Sequence, residues 1–151
     1  MVDYADGTAQ SYVERSHGAH AAYTLHYHVV WSVRRRRPAL TADRAAFLRD
    51  LLLHVGAQHG IHLLAFHIES THVHALISLK PDQPISTVMQ TLKGTSSHIL
   101  RETFPELRTE CSDGLWGTGY FARTLGDVNV SQAKAYLDRQ KEHHAGPDTD
   151  P

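Results

Sequence analysis

Hydrophobic periodicity predicts an α+β fold for this chain: an antiparallel sheet with helices packed on one face. Three observations carry that reading. Strand-like segments recur four times, two amphipathic helical segments separate them, and the second and third strands are joined too tightly for a crossover, so they must pair as a hairpin.

The first strand spans Tyr23 to Val33, where Tyr23, Leu25, Tyr27, Val29 and Trp31 alternate onto one face. Arg34 to Pro38 is the loop that leaves it. Thr41 is placed as an N-cap with Asp43 in the first turn. Ala45, Leu48, Leu52, Val55 and His59 then recur at spacings of three and four until Gly60 stops the helix. Ile61 to Glu69 reads as the second strand. His72 to Lys80 reads as the third, with Val73, Ala75 and Ile77 on the face opposite the histidines. Pro84 opens a second helix through Ile85, Val88, Met89, Leu92, Ile99 and Leu100, interrupted at Gly94 and Thr95 and closed by Phe104-Pro105. Gly119 to Leu125 is the fourth strand. Asn129 with Gln132 resembles a capping box for a last helix that runs to His144 and ends at Gly146-Pro147. The order β-α-β-β-α-β plus a helix is the ferredoxin-like split βαβ topology, whose second face stays open for a ligand or for the extra helix. Residues 1–22 show no sustained period and are expected to be a flexible arm. Residues 23–144 form the expected domain and 145–151 a disordered tail.

An apolar fraction of 41% and a charged fraction of 21% over 151 residues describe one globular domain with a core of its own. The single cysteine, Cys111, excludes an internal disulfide and fits a reducing, cytoplasmic setting. No run approaches the roughly 18–20 apolar residues of a membrane span, and the start of the chain lacks the basic and apolar stretches of a signal peptide. Net charge is −1, so the whole molecule does not favour nucleic acid. From Tyr23 to Arg108, however, there are 10 Lys/Arg against 6 Asp/Glu, including the run Arg34 to Arg37. A run of like charge is commonly a solvated loop, but a basic patch on a neutral protein can still hold a phosphate backbone.

Chemistry concentrates in a few positions. His72 and His74 flank one apolar residue on a strand, which puts both imidazoles on one face about 7 Å apart, a suitable spacing to share a metal ion. His26-Tyr27-His28 repeats the pattern on the first strand, and pattern alone does not choose between the pairs. In a ferredoxin-like sheet the first and third strands are neighbours, so both pairs could face one site. Zinc is disfavoured, because no second Cys/His cluster supplies four closed ligands. Tyr136 and Gln140 are four apart on a helix and share a face. If that face lies over the strand, Gln140 can complete the metal site while Tyr136 points its hydroxyl at whatever the metal polarises. An oxygen ligand there favours Mg²⁺ or Mn²⁺. A tyrosine hydroxyl, with a pKa of about 10 in free solution, needs such help to attack a phosphate.

Several stretches in order resemble the single-tyrosine HUH transposases of small bacterial insertion sequences, the TnpA proteins and their REP-associated relatives. They are His28-Val29-Val30-Trp31 with the arginine loop and Pro38, His72-Val73-His74, Leu92-Lys93-Gly94 to Phe104-Pro105-Glu106-Leu107, Leu115-Trp116 with Gly119-Tyr120-Phe121, and Tyr136-Leu137-Asp138-Arg139-Gln140. The resemblance covers about Tyr23 to His143. It implies that His72, His74 and Gln140 ligate Mg²⁺ or Mn²⁺ and that Tyr136 is the nucleophile. The reaction it implies is cleavage and rejoining of single-stranded DNA at element ends through a 5′-phosphotyrosine link, without ATP. It also implies binding of DNA hairpins and a homodimer, commonly with exchanged C-terminal helices; a hinge would fall at Gly126 to Asn129. Arg34, Arg35, Arg36, Arg37, Lys93 and Trp116 are candidate DNA contacts, although Trp116 suits the core better than a stacking platform. Ser70-Thr71 stands where the family generally carries Pro-Asp, which predicts an altered turn before the first metal histidine. Two other readings are a domesticated relative that processes chromosomal repeat hairpins and a non-catalytic single-stranded DNA-binding module.

Overall fold

Strand β4 (His26–Ser32) lies in the interior of the sheet because its residues suit burial on both faces: Val29 and Trp31 turn one way, His28 and Val30 the other, and all four are buried. The computed structural model describes residues 2–3, 16–17 and 21–126, together with Gln132, Ala135 and Leu137. Within these, β1 (Val2–Asp3), β2 (Ser16–His17) and β3 (Ala22–Tyr23) are short. They are followed by β4, helix α1 (Ala42–His59), β5 (His62–Ile68), β6 (His72–Ser78), helix α2 (Ile85–Thr103), helix α3 (Leu107–Glu110) and β7 (Phe121–Leu125). The principal sheet has the order β1-β5-β6-β4-β7, and every pairing is antiparallel. Its four longer strands give the ferredoxin-like arrangement expected from the sequence. Of the residues 1–22, Val2–Asp3 pairs with Phe66 and Ala65 of β5, and Ser16–His17 pairs with β3. The expected tail at 145–151 lies outside the described residues.

Helices α1 and α2 pack on the face formed by Val29, Trp31, Phe66, Val73, Ala75 and Ile77, and together they enclose one core with Leu48, Leu52, Met89, Leu92 and Leu100. Gly60 ends α1 in the left-handed conformation, φ 65°, with its N–H on the Gly56 carbonyl. Thr41 precedes α1 in extended conformation but caps nothing with its hydroxyl. Gly94 and Thr95 do not interrupt α2. A helix-interior glycine costs about 1 kcal/mol, and the buried stripe Val88, Met89, Leu92, Ser96 and Leu100 outweighs it. The first strand begins at His26, not Tyr23, because Ala22–Tyr23 turns away to pair with β2. A bulge in β5 between Leu63 and Ala65 changes the alternation, so Phe66 enters the helix-side core while His67 lies opposite His74 on the other face.

Candidate active site

The second face of the sheet carries the chemistry. His28, His72 and His74 all project onto it from the two central strands, and none is more than 4% exposed. The His72 and His74 rings lie 5.0 Å apart, centroid to centroid, as the strand alternation requires. His28 stacks on His74 with planes 12° apart and its Nε2 lies 3.1 Å from His74 Nδ1. His26, the other member of the first-strand pair, sits opposite Ser78 and Leu125 towards the far end of the sheet. The two histidine pairs therefore do meet, but through His28 alone.

Each candidate ligand is held by its Nδ1. Thr71 Oγ1 is 2.8 Å from His72 Nδ1, and His28 Nε2 is the partner of His74 Nδ1. Such outer contacts set the tautomer and orientation of a metal-binding imidazole and leave Nε2 to ligate. When His74 offers Nε2, its proton sits on Nδ1 and is donated to His28 Nε2. His28 must then accept, which requires it to be neutral. Burial, and secondarily the positive charge of Arg123, push its pKa down to about 4. The donor set of two imidazole nitrogens fits a divalent ion with open positions. Among the described residues no group of three His, Cys, Asp or Glu forms a closed site. Tyr136 and Gln140, the expected nucleophile and third ligand, lie outside the described residues. Their neighbour Leu137 is helical and buried, while Gln132 and Ala135 are helical and exposed.

A cleft of about 700 Å³ opens beside the histidines, bordered by His28, His74, Arg36, Tyr120, Phe121 and Arg123. Tyr120 and Phe121 are the large apolar side chains left exposed there, at 40% and 52%. Flat rings at the mouth and two guanidinium groups suit unpaired bases and their phosphates. The sequence offers His28, in the second His-x-His pair, as a possible contributor to the site, but it does not single out Arg123, Tyr120, Phe121 or Thr71 as site residues. Strand register is the signal for Arg123, which sits directly opposite His28.

The candidate DNA contacts divide. Arg35 and Arg37 both bond the carboxylate of Asp113, at 3.0 and 2.7 Å. Arg34 lies along Gly114, where a Cβ would meet its Nε at 3.2 Å. Arg36 turns inward, with NH1 donating to Ser32 Oγ at 3.2 Å and NH2 lying 3.5 Å from His72 Nδ1. Lys93 Nζ donates to the carbonyls of Gly117 and Gly119 at 2.8 and 2.6 Å, which ties α2 to the loop that borders the cleft. Burial and the nearby Arg34 charge lower its pKa. Trp116 is buried, meets Trp31 edge to face and donates its indole N–H to Ser96 Oγ at 3.0 Å. The turn before His72 is held by Leu40 N–H on Ser70 O and Val33 N–H on Thr71 O, and Thr71 there supplies the side chain that meets His72.

A ferredoxin-like sheet with a buried histidine pair on one strand defines the class, and comparison with known proteins defines the family. The family described as "Transposase IS200 like" matches residues 21–140, so the chain belongs to the IS200-like transposases. It is 30% identical over 129 residues to the ISDra2 transposase TnpA of Deinococcus radiodurans, covering 85% of this chain and 92% of that one. It is 27% identical over 125 residues to the transposase of insertion sequence element IS200 of Salmonella typhimurium, covering 82% of each. Among solved structures, a Deinococcus radiodurans R1 transposase superposes with a TM-score of 0.70 at 28% identity, over 83% of this chain and 97% of that one. A REP-associated tyrosine transposase bound to a REP hairpin shares the fold, with a TM-score of 0.57 at 16% identity, over 85% and 74%. No helix among the described residues is long and apolar enough to cross a membrane.

Proposed function

We propose that this transposase cleaves and rejoins single-stranded DNA through Tyr136, with a divalent metal held by His72, His74 and Gln140. The observation that carries the reading is the buried pair His72 and His74, each anchored at Nδ1, beside a cleft lined by guanidinium groups and exposed rings. A bound Mg²⁺ or Mn²⁺ would polarise the scissile phosphate and offset charge on the leaving oxygen. The chain's own part is to hold the two imidazoles oriented, and to seat the strand between Arg36, Arg123 and the rings of Tyr120 and Phe121. Tyr136 Oη attacks phosphorus as the bond to the 3′-oxygen breaks. The tyrosine proton is given up, the 3′-oxygen takes one, and the diester passes to a 5′-phosphotyrosine link. A 3′-hydroxyl reverses the step and rejoins the strand, so the bond energy stays in the phosphodiester. Because one chain has one nucleophile, two cut ends require a homodimer. Hairpin DNA as the recognised form is supported by the fold neighbour described with a REP hairpin.

The test is a denaturing gel of wild type with 3′-labelled single-stranded hairpin oligonucleotides from DNA flanking the coding sequence, with Mg²⁺ or Mn²⁺. A protein–DNA adduct is expected from wild type and none from Tyr136→Phe. His72→Ala should lose the adduct and keep hairpin binding. Absence of any wild-type adduct, or its persistence in Tyr136→Phe, would overturn the mechanism.

A further inference from the structure

We propose that Arg36 is a catalytic residue that supplies fixed positive charge to the scissile phosphate, and that Asp113, outside the cleft, is the positioning residue that aims it. This rests on the phosphotyrosine chemistry proposed above. Of the four consecutive arginines, Arg36 alone borders the cleft beside His74. Its NH1 is held on Ser32 Oγ, which fixes the guanidinium plane, and its NH2 reaches the edge of His72. A phosphate seated at the histidine pair therefore falls within its reach. During the attack the tyrosine oxygen–phosphorus bond forms while the phosphorus–3′-oxygen bond breaks. Charge gathers on the two non-bridging oxygens, and a preorganised guanidinium stabilises that charge with no reorganisation.

The backbone shows that this aim is imposed. Arg35 and Arg36 both adopt left-handed conformations, φ 58° and 52°, which side chains with a Cβ resist. Successive left-handed residues reverse the chain, so Arg35 and Arg37 turn outward onto one carboxylate while Arg36 turns inward. Asp113 clamps both flanking residues, at 3.0 and 2.7 Å, from a segment about eighty residues away in sequence. The chain is pinned on each side of Arg36 by the same anion. Such strain persists where surrounding contacts over-determine it, and here it presents one side chain to a reacting centre.

The experiment measures single-turnover adduct formation on a mapped hairpin oligonucleotide and, separately, metal-free hairpin affinity. Arg36→Gly is the primary variant because glycine accepts the left-handed φ, so its melting temperature should equal or exceed that of wild type. Its rate should fall about 100- to 1,000-fold, the usual loss of one transition-state donor. Its hairpin affinity should change less than about threefold, as for one phosphate contact among several. Replacing the scissile phosphate by a neutral methylphosphonate removes the charge that Arg36 serves, and the two proteins should then react at similar rates. Asp113→Ala should slow wild type about tenfold and add nothing in the Arg36→Gly background. Equal adduct rates for wild type and Arg36→Gly on the natural phosphate, or an undiminished gap on the methylphosphonate, would overturn the role of Arg36. An equal slowing by Asp113→Ala in both backgrounds would overturn the role of Asp113. No adduct from wild type on any hairpin would instead overturn the proposed function and this role with it.

Discussion

His28 offers a way to test the proposed metal site without measuring catalysis. Its Nε2 lies 3.1 Å from His74 Nδ1, between rings that are 4% and 0% exposed. Replacing it by phenylalanine keeps an aromatic ring against Phe121, whose centroid is 6.2 Å away, but removes the acceptor. In the metal-free protein His74 can move its proton to Nε2 and avoid a stranded donor. Metal at Nε2 forbids that escape and forces the proton onto Nδ1, from which the His28 acceptor has been removed. The penalty therefore falls on metal binding more than on folding. A buried N–H that loses its acceptor costs about 1–3 kcal/mol, which is roughly 5- to 150-fold in Kd at 1.4 kcal/mol per tenfold. Loss of such outer partners elsewhere weakens metal binding by about 10- to 100-fold. Calorimetric titration with Mn²⁺ at neutral pH should show that loss in His28→Phe, while its metal-free urea midpoint moves little. His28→Gln, whose amide oxygen can reach the position of Nε2, should recover most of the affinity. Wild-type Mn²⁺ affinity in His28→Phe would refute the argument, as would an equal loss in His28→Gln.

Three further outcomes follow from the geometry. Trp116→Phe removes the bond to Ser96 Oγ inside the core and should cost about 1 kcal/mol in urea melts while leaving hairpin affinity unchanged. A large fall in affinity at unchanged stability would make Trp116 a DNA contact. Gly56→Ala places a Cβ 2.6 Å from the Ile61 carbonyl oxygen and should destabilise by about 1–3 kcal/mol, read from the same melts. For Asp113, the bonds from Arg37 and then Arg35 hold the carboxyl well below its ordinary value of 3.8. A depressed folded pKa means the contribution is complete above 3.8 and is lost as pH falls through the lower folded value. Melting temperature against pH should therefore have a shallower acid limb in Asp113→Asn than in wild type.

Much of this fold is legible because its elements bury one face at a strict period. Val29 and Trp31, Val73, Ala75 and Ile77, and the α1 stripe ending at Gly60 declare their sides without reference to anything distant. The histidine pair is legible for the same reason. Which of the two His-x-His pairs matters is not, since that depends on a diagonal contact between β4 and β6 that register alone produces. The β5 bulge is equally hidden: one residue of slip decides whether His67 or Phe66 faces the core, and both are plausible there. Four identical arginines give no sequence signal for which one turns inward. That choice is made by left-handed backbone at Arg35 and Arg36 and by an aspartate far along the chain. The Tyr136 and Gln140 placements lie outside the described residues, so their pairing rests on helical spacing and family resemblance.

The charge of the molecule acquires a different meaning once its partners are known. A net charge of −1 is low for a protein that handles DNA, and the local excess of cations between Tyr23 and Arg108 is the apparent remedy. Yet Arg35 and Arg37 are committed to Asp113, Arg44 to Glu110 at 2.9 Å, and Lys93 to two backbone carbonyls. Arg35, Arg37 and Lys93 thus brace the loops beside the cleft, while Arg44 ties α1 to α3. The side chains that border the cleft include two arginines, two exposed aromatic rings and the imidazoles of His28 and His74. If the cleft takes the DNA strand as proposed, it would do so less by bulk charge than by stacking and a few aimed contacts, which favours unpaired bases over a duplex whose rings are already stacked. Under the proposed function, discrimination for single strands would reside in the same short stretch, Gly117 to Arg123, that Lys93 holds against α2 and that borders the cleft beside His74.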